Sequence, residues 1–192
     1  MNLTKFFNSE FNEHTNVLNE SKHALLEPFK ELVKASVGSI SNGGKILFFG
    51  NGGSAADSQH LAAELVIRYK KNRAPISAIA LTTDSSAITA GGNDIGFDQI
   101  FARQVSALAK PGDIAIGIST SGNSENVIQG LLEAKSCGTI PAGLSGNKGG
   151  RMKTIANPHL IVPSSTTARI QEMHIILGHL LCDALEQELN LL

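Results

Sequence analysis

Hydrophobic residues recur at two different spacings along the chain, and the change lies near residue 44. In "FFNSEFNEHTNVLNE" and "ALLEPFKELVKASVGSI" the apolar residues follow helical spacing. Pro28 lies in the second stretch, and because proline has no N–H it predicts a break or a kink there. We therefore predict that residues 1–43 form a helical N-terminal extension.

Beyond residue 44, short apolar runs alternate with helical stretches. The runs cover residues 45–50, 76–81, 113–118, 139–145 and 159–163. The helical stretches cover 54–69, 85–109 with an interruption at "GGNDIG", 123–137 and 149–155, and a long helix over 166–190 begins at a "PSSTT" cap. Continuous apolar strands alternating with helices are typical of a parallel sheet covered on both faces. We predict one α/β domain, residues 1–192, with a doubly wound five-stranded parallel sheet.

The position of a ligand follows from the strand order of such a sheet. In the flavodoxin-like order 2-1-3-4-5, the winding direction reverses between the first and third strands, and ligands bind at that switch point. The loops that leave these two strands are "GNGGSAAD" and "STSGNSEN", the two richest polar loops of the chain. Both observations predict a binding site between these loops.

Composition narrows the classes of partner. The chain has 192 residues, 42% of them hydrophobic and 17% charged, with a net charge of −1, which is typical of a globular domain and predicts no general attraction to nucleic acid or an anionic membrane. There is no signal-peptide pattern and no run approaching the ~20 apolar residues that span a bilayer. Cys137 and Cys182 form no CxxC pair. We expect a cytoplasmic protein with reduced thiols.

The third-strand loop concentrates hydroxyl groups at a helix start. Ser119, Thr120, Ser121 and Ser124 surround Gly122. Unpaired N–H groups and the positive dipole end of a helix favour an anion, and hydroxyls add neutral donors. Because the Walker lysine is missing, a sugar phosphate fits better than a nucleoside triphosphate. The alternative is a Ser/Thr-rich cap that only starts the helix.

The first-strand loop, "GNGGSA" (50–55), allows two interpretations. It matches G-x-G-x-x-A between a strand and a helix, a variant of the dinucleotide fingerprint. That interpretation needs an acidic residue at the end of the second strand, and Asp84 comes late. It also needs an apolar helix, whereas His60 and Glu64 are expected to face the interior. The alternative is a glycine turn that lets the backbone approach a sugar.

Several ionisable or amide side chains are candidate ligands. His60 and Glu64 lie four residues apart and share one helix face, as a metal-binding, proton-transfer or ordinary surface pair. Gln171 and His179 share a stripe of the last helix but lie about 12 Å apart along it, too far for one metal ion unless the helix kinks, a second subunit contributes, or their roles differ. His174 faces elsewhere and is expected to be structural.

A second glycine-rich segment supplies two further candidates. Asn93 and Asp94 follow Gly91 and Gly92 in "GGND". We expect a glycine loop that presents both side chains to sugar hydroxyls. The alternative is an ordinary Asn-Asp turn.

Four motifs together resemble the phosphoheptose isomerases, a family of the sugar isomerase (SIS) domain group. They are "GNGGSAADSQHLAAEL", "GGNDIGF", "GISTSGNSENVI" and "RIQEMHIILGH". The resemblance spans nearly the whole chain. It implies a homotetramer with active sites at subunit interfaces, one Zn²⁺ per subunit, and interconversion of sedoheptulose 7-phosphate with D-glycero-D-manno-heptose 7-phosphate, the first step of ADP-heptose synthesis for lipopolysaccharide.

The resemblance also implies roles for individual residues. Metal ligands fall on His60, Glu64, Gln171 and His179. Substrate contacts fall on Asn51, Gly52, Gly53, Asn93, Asp94, Ser119, Thr120, Ser121 and Ser124, with Glu64 and Gln171 also touching the sugar. In the expected enediol mechanism Glu64 is the base and His179 moves the second proton.

A different class of function shares part of this pattern. The chain also resembles the DnaA initiator-associating protein, a non-enzymatic SIS-domain protein of replication initiation, in its "STSGNS" loop and its "RIQEMH" helix. That family lacks the carboxylate and the last histidine at the positions of Glu64 and His179. Because this chain has both, the isomerase interpretation is favoured.

Overall fold

A computed structural model describes residues 1–191 and contains a five-stranded parallel sheet in the order β2-β1-β3-β4-β5. The strands are β1 (Ile46–Gly50), β2 (Ala78–Ala80), β3 (Ile114–Ser119), β4 (Ile140–Ser145) and β5 (His159–Ile161). In the central pair, Phe48 of β1 lies opposite Ile116 of β3. The predicted strand order is confirmed, and the winding direction reverses between β1 and β3.

The helices follow the predicted pattern closely. They are α1 (Leu3–Ala24), α2 (Leu26–Ser41), α3 (Gly53–Val66), α4 (Ser85–Asp94), α5 (Ile100–Leu108), α6 (Glu125–Ser136) and α7 (Thr167–Glu188). The break in the N-terminal extension falls at Leu25, and Pro28 lies in the first turn of α2, where its missing N–H costs no hydrogen bond. Across residues 1–191, no helix is both long enough and apolar enough to cross a membrane.

The sheet is buried on both faces, as its continuous apolar strands predict. Ile46 and Phe48 face one core layer, which is filled from α2, α3 and α7. Leu47 and Phe49 face the other layer, which is filled from α5 and α6. The alternation follows from the two-residue period of a strand. Because α1 and α2 pack against α7, the N-terminal extension covers the helix that carries Gln171 and His179.

The prediction of a glycine loop at residues 91–94 is wrong. Gly91, Gly92, Asn93 and Asp94 belong to α4 and not to a glycine loop, and the interruption comes only at Ile95 and Gly96. A helix tolerates glycine when neighbouring turns and packing favour it, and here the Asp84 carboxylate caps α4 by accepting a hydrogen bond from the Ala87 N–H.

α7 begins within the predicted "PSSTT" segment, but without a capping bond from the side chain that precedes it. Thr166 is the residue before the helix, but its side chain makes no capping bond. Its hydroxyl instead donates to the Glu13 carboxylate at 2.6 Å. The residue therefore fixes α1 to the start of α7.

Candidate functional site

The two polar loops meet because β1 and β3 are neighbours in the sheet. Asn51 follows β1, and Asn126 lies in the first turn of α6. Their side-chain amides exchange two hydrogen bonds, each of 2.8 Å. Asn126 is buried, and the sequence analysis did not identify it. This amide pair joins the glycine loop (residues 50–53) to the hydroxyl loop (residues 119–124).

Three of the four hydroxyls of the second loop, those of Ser119, Ser121 and Ser124, converge on each other and not on the backbone of α6. Ser119 is 3% exposed, and its Oγ lies 2.9 Å from Ser124 Oγ and 3.4 Å from Ser121 Oγ. Ser124 is the residue before α6, but its side chain makes no capping bond. The helix-cap alternative is therefore not what these hydroxyls do. They form a cluster beside the helix N-terminus, where the backbone dipole favours an anion.

A third segment supports the hydroxyl loop from outside. Residues 147–154 form a kinked 3₁₀ segment, in place of the small helix expected over 149–155. The Met152 N–H donates to the Gly122 carbonyl at 3.0 Å, and the Arg151 N–H donates to Asn123 Oδ1 at 2.9 Å. The Arg151 guanidinium pairs with Glu125 in the first turn of α6. These contacts hold the loop in shape before any ligand binds.

The glycine loop brings backbone close to α7. Gly52 and Gly53 are exposed at the start of α3. A methyl group on Gly53 would lie 2.7 Å from Gln171 Nε2, so the end of the Gln171 side chain lies directly against the backbone of Gly53. Asp84 caps α4 and does not extend toward the loop, which removes the acidic partner that the dinucleotide alternative requires. The loop is therefore a close-approach turn with Gln171 beside it.

A histidine pair lies between α3 and α7. His60 Nε2 and His179 Nε2 are 2.8 Å apart, and Glu64 Oε1 lies 3.6 Å from His60 Nε2. The side chain of His60 is 45% exposed and that of Glu64 is 22% exposed. The expectation that both face the interior is wrong, because they lie on the α3 surface that borders α7. His179 is half-buried, as expected.

α3 and α7 pack closely beside this pair. A methyl group on Gly178 would lie 2.5 Å from the Cδ2 of Leu61, which is buried. The Leu61 side chain, next to His60, therefore packs directly on the backbone of Gly178, next to His179. This contact lies beside the His60–His179 pair and belongs to the same packing of α3 on α7.

The donor set of the pair has the chemistry of a zinc site, but the atoms are arranged as a hydrogen-bonded pair. Two imidazoles and a carboxylate are typical zinc ligands. Nitrogen ligands at 2.0–2.1 Å from a tetrahedral ion lie about 3.3 Å apart, so the two rings must separate slightly to share one. Within residues 1–191, no group of three His, Cys, Asp or Glu side chains is already arranged around a metal-sized space.

Gln171 is separated from this pair. Because α7 is one unbroken helix, the kink considered above is absent. Gln171 lies at Gly53, whereas His179 lies at His60, two turns further along α3. A second subunit and different roles for the two residues remain the two explanations.

The remaining candidates divide into exposed and buried residues. Asn93 Nδ2 donates to Asp94 Oδ1 at 2.6 Å, and both residues are exposed at the end of α4. In the part of the chain that the structure describes, neither side chain bonds to the loops above. His174 is fully buried in the core, as expected for a structural residue, and burial lowers its pKa to about 4.

Comparison with known proteins identifies close relatives. The sequence profile of the SIS domain family matches residues 11–146. The chain is 55% identical to a phosphoheptose isomerase of Paramagnetospirillum magneticum over 186 residues, which cover 97% of each chain. The structure of a phosphoheptose isomerase from Francisella tularensis superimposes with a TM-score of 0.94 at 39% identity, over 97% of this chain and 100% of that one. That of the phosphoheptose isomerase from Neisseria gonorrhoeae gives 0.91 at 42% identity, over 96% and 99%.

Proposed function

The chain belongs to the SIS domain family, and within it to the phosphoheptose isomerases, and from this premise we propose that it interconverts sedoheptulose 7-phosphate and D-glycero-D-manno-heptose 7-phosphate. The strongest support in the molecule is the hydroxyl cluster around the buried Ser119, which lies beside a helix N-terminus and is not used to cap it. Such a cluster suits a phosphate monoester. The pathway proposed for the product is ADP-heptose synthesis for lipopolysaccharide.

The phosphate is proposed to bind in the hydroxyl loop and the sugar to extend over the glycine loop. Ser119, Thr120, Ser121 and Ser124 supply hydroxyl donors, and the first-turn N–H groups of α6 supply a positive dipole end. Asn51, Gly52 and Gly53 form the glycine-loop side of the site, which the Asn51–Asn126 pair joins to α6. Gln171 lies beside Gly53. Asn93 and Asp94 lie apart at the end of α4, so a role for them in sugar binding requires a neighbouring subunit.

The chemistry is proposed to be an enediol proton transfer. Glu64 removes a proton from C1 of the ketose, and the electron pair of that C–H bond forms the C1–C2 double bond as the carbonyl oxygen on C2 gains a proton. Return of a proton to C2, with loss of the proton on O1, gives the aldose. His179 moves the proton between the two oxygens. General acid–base groups of this kind contribute typically 10²–10⁴-fold to the rate.

Zinc is proposed as the cofactor, one ion per subunit. His60, His179 and Glu64 would hold it, with Gln171 as the fourth residue of the implied set. When bound, Zn²⁺ polarises substrate oxygens and stabilises negative charge on them. In this arrangement Glu64 is both a metal ligand and the base. The metal content and the activity of Glu64→Gln separate these two roles.

A homotetramer is proposed, with sites completed between subunits. The support is the apolar face of α1, where the aromatic rings of Phe7 and Phe11 are each 60% exposed and Phe6 is 48% exposed. Contiguous exposed apolar side chains of this kind mark interaction surfaces. A cytoplasmic location is part of the same proposal, and the free thiols of Cys137 and Cys182 are compatible with it. Analytical ultracentrifugation of the wild-type chain and of Phe7→Ser tests the assembly.

The initiator-binding alternative finds no support in the relatives described above, which all bear an enzyme's name. One experiment separates the two functions. Purified protein is incubated with sedoheptulose 7-phosphate, and the aldose product is measured; unphosphorylated sedoheptulose serves as the control substrate. We expect turnover of the phosphorylated ketose only. Binding to the replication initiator without turnover of any sugar phosphate would replace the proposal with the alternative.

A further inference from the structure

Tyr69 lies against the face of the His179 imidazole. The ring centroids are 5.5 Å apart and the planes are inclined by 26°. On another side, the His60 ring meets His179 edge-on, with the centroids 5.1 Å apart and the planes at 74°. The His179 ring is therefore bounded by one stacked and one perpendicular ring.

This enclosure restrains the softest torsion of His179. The χ2 angle of histidine is broad and roughly two-fold, so the backbone alone does not fix the direction of the ring nitrogens. A ring stacked on the imidazole face limits rotation about χ2, because rotation would drive the imidazole edge into the stacked ring. The stack thus helps to keep His179 Nε2 directed at His60 Nε2.

The segment that carries Tyr69 is fixed to α7 by one buried carboxylate. Glu186 is fully buried, and its oxygens accept hydrogen bonds from the Tyr69 N–H at 3.0 Å and the Lys70 N–H at 3.3 Å. The Arg73 guanidinium donates to the same carboxylate at 2.9 Å, and neither side chain of the pair is exposed. Burial alone would raise the pKa of Glu186, but these partners together outweigh it and hold the pKa below its ordinary value.

Arg73 extends the same connection to the end of α3. It donates to the Leu65 carbonyl at 2.7 Å and to the Glu64 carbonyl at 2.9 Å. These carbonyls lie in the last turn of α3, where backbone acceptors lack helical partners and a cation is favoured. The Arg73–Glu186 ion pair therefore connects three parts of the chain. Glu186 on α7 holds the backbone at Tyr69, and Arg73 holds the Glu64 carbonyl at the end of α3.

We infer that Tyr69 is a positioning residue for His179, held in place by the buried Arg73–Glu186 ion pair. Its effect on turnover rests on the proposed function, in which His179 moves a proton. Its effect on the orientation of the imidazole does not, and that difference separates failure of the inference from failure of the proposed reaction.

The orientation is tested by NMR of the purified protein with isotopically labelled histidine. His179→Gln identifies the His179 ring resonance among those of the six histidines. Tyr69→Ala is expected to move that resonance, because the ring current of the stacked phenol is lost. Tyr69→Phe keeps the ring and is expected to retain most of the shift, as is Lys71→Ala, an exposed position of the same segment. An unmoved His179 resonance in Tyr69→Ala overturns the inference.

The stack has a second signal that needs no change at Tyr69. Tyr69 is the single tyrosine and the chain has no tryptophan, so its phenol dominates the ultraviolet emission. Removal of the neighbouring imidazole in His179→Ala is expected to change the emission intensity, and His23→Ala, an exposed histidine on α1, is expected to leave it unchanged. Equal emission from the wild type and His179→Ala also overturns the inference.

Kinetics measure how much the Tyr69 ring contributes to turnover. Tyr69→Ala is expected to lower kcat roughly 10- to 100-fold with little change in KM, because misplaced reacting groups slow the chemical step more than they weaken binding. Tyr69→Phe is expected to restore most of kcat. Wild-type kcat in Tyr69→Ala overturns the inference, whereas a wild type that turns over no sugar phosphate overturns the proposed function and leaves the NMR result to decide the orientation.

Discussion

His60 Nε2 and His179 Nε2 lie 2.8 Å apart, although the two residues are separated by 119 positions in the chain. At that distance one nitrogen donates and the other accepts, so in the hydrogen-bonded state only one of the two Nε2 atoms carries a proton. The pair is formed by α3 and α7, and neither helix contains enough of the site to act alone.

Glu64→Gln is expected to lower kcat by at least about 100-fold, because the amide keeps the shape of the side chain but cannot accept the proton. Melting temperature and assembly should be retained, since glutamine has nearly the same shape and volume as glutamate and the side chain is partly exposed. Glu188→Gln, on the exposed end of α7, is the matched control. Near-normal turnover by Glu64→Gln rules out Glu64 as the base. His174→Ala is not a suitable control, because it empties a buried position.

Zinc should be present at about one ion per chain after dialysis without chelator, as measured by mass spectrometry of the metal content. His60→Ala and His179→Ala are expected to lose most of it, because each removes one of the two converging imidazoles. His23→Ala should retain the metal. The metal content of Glu64→Gln shows whether that side chain is a ligand. Full activity in a metal-free sample would remove zinc from the proposal.

Ser124→Ala should lower kcat/KM by roughly 10- to 150-fold, because a hydrogen bond to a charged group contributes about 1.5–3 kcal/mol. Its melting temperature should hardly change, since Ser124 Oγ bonds to Ser119 and caps nothing. Inorganic phosphate should raise the melting temperature of the wild type more than that of the variant. Ser106→Ala, exposed on α5, is the control. A lower melting temperature with unchanged kinetics would return these hydroxyls to a helix-capping role.

Stability should fall in mild acid because of His159 and His174. Burial lowers the pKa of each imidazole to about 4, from an ordinary value near 6.5, and the Lys153 charge adds to this at His159. A folded-state pKa below the unfolded value means that the unfolded chain binds more protons below pH 6.5, so stability is lost as pH falls from 6.5 toward 4. The loss at pH 5 is up to about 2 kcal/mol for each histidine.

Urea unfolding at pH 7 and pH 5 measures this loss. His159→Gln keeps a polar group that can reach Ser145 Oγ, 2.7 Å from His159 Nε2 in the wild type, and cannot gain a charge in this range. The variant should therefore show a shallower pH dependence than the wild type. Identical slopes for the two proteins would assign the acid sensitivity to other groups.

Glu186→Gln should destabilise the protein by about 3–5 kcal/mol, because it leaves the buried Arg73 cation without its partner. In a chain of this length that corresponds to a fall in melting temperature of roughly 10 °C. Asp183→Asn breaks an ion pair with Lys70 at the surface of the same helix and should have a far smaller effect. Equal losses of stability in the two variants would show that burial does not increase the contribution of the Arg73–Glu186 pair to stability.

Much of the fold could be predicted because local sequence patterns indicate most of its strands and helices. The central strands β1 and β3 are continuous apolar runs, and the flavodoxin-like strand order, assumed from the usual topology of such sheets, matches the observed order. The error at Asn93 and Asp94 arose because two glycines suggested a loop, whereas the capped first turn and packing of α4 carried the helix through them.

The site was only partly predictable, because its contacts join distant segments. Ser119 and Ser124 lie in one short motif and could be paired from sequence. Asn126 could not, since its role depends on Asn51, 75 positions away. The support from residues 147–154 was missed for the same reason. Tyr69 also gave no signal in the sequence, because its partner His179 lies on α7, far away along the chain.

The contact of Gly178 with Leu61 has a consequence for sequence variation in this protein. Neither residue carries a reactive group, yet Leu61 packs on the bare backbone of Gly178 directly beside the two imidazoles. A single methyl group added at residue 178 would lie 2.5 Å from Leu61 Cδ2, so either this side chain or the spacing of α3 and α7 has to change in a chain whose histidines, carboxylate and hydroxyls are all intact. A census of reactive side chains would judge such a chain unaltered, although the change lies in the packing between its helices.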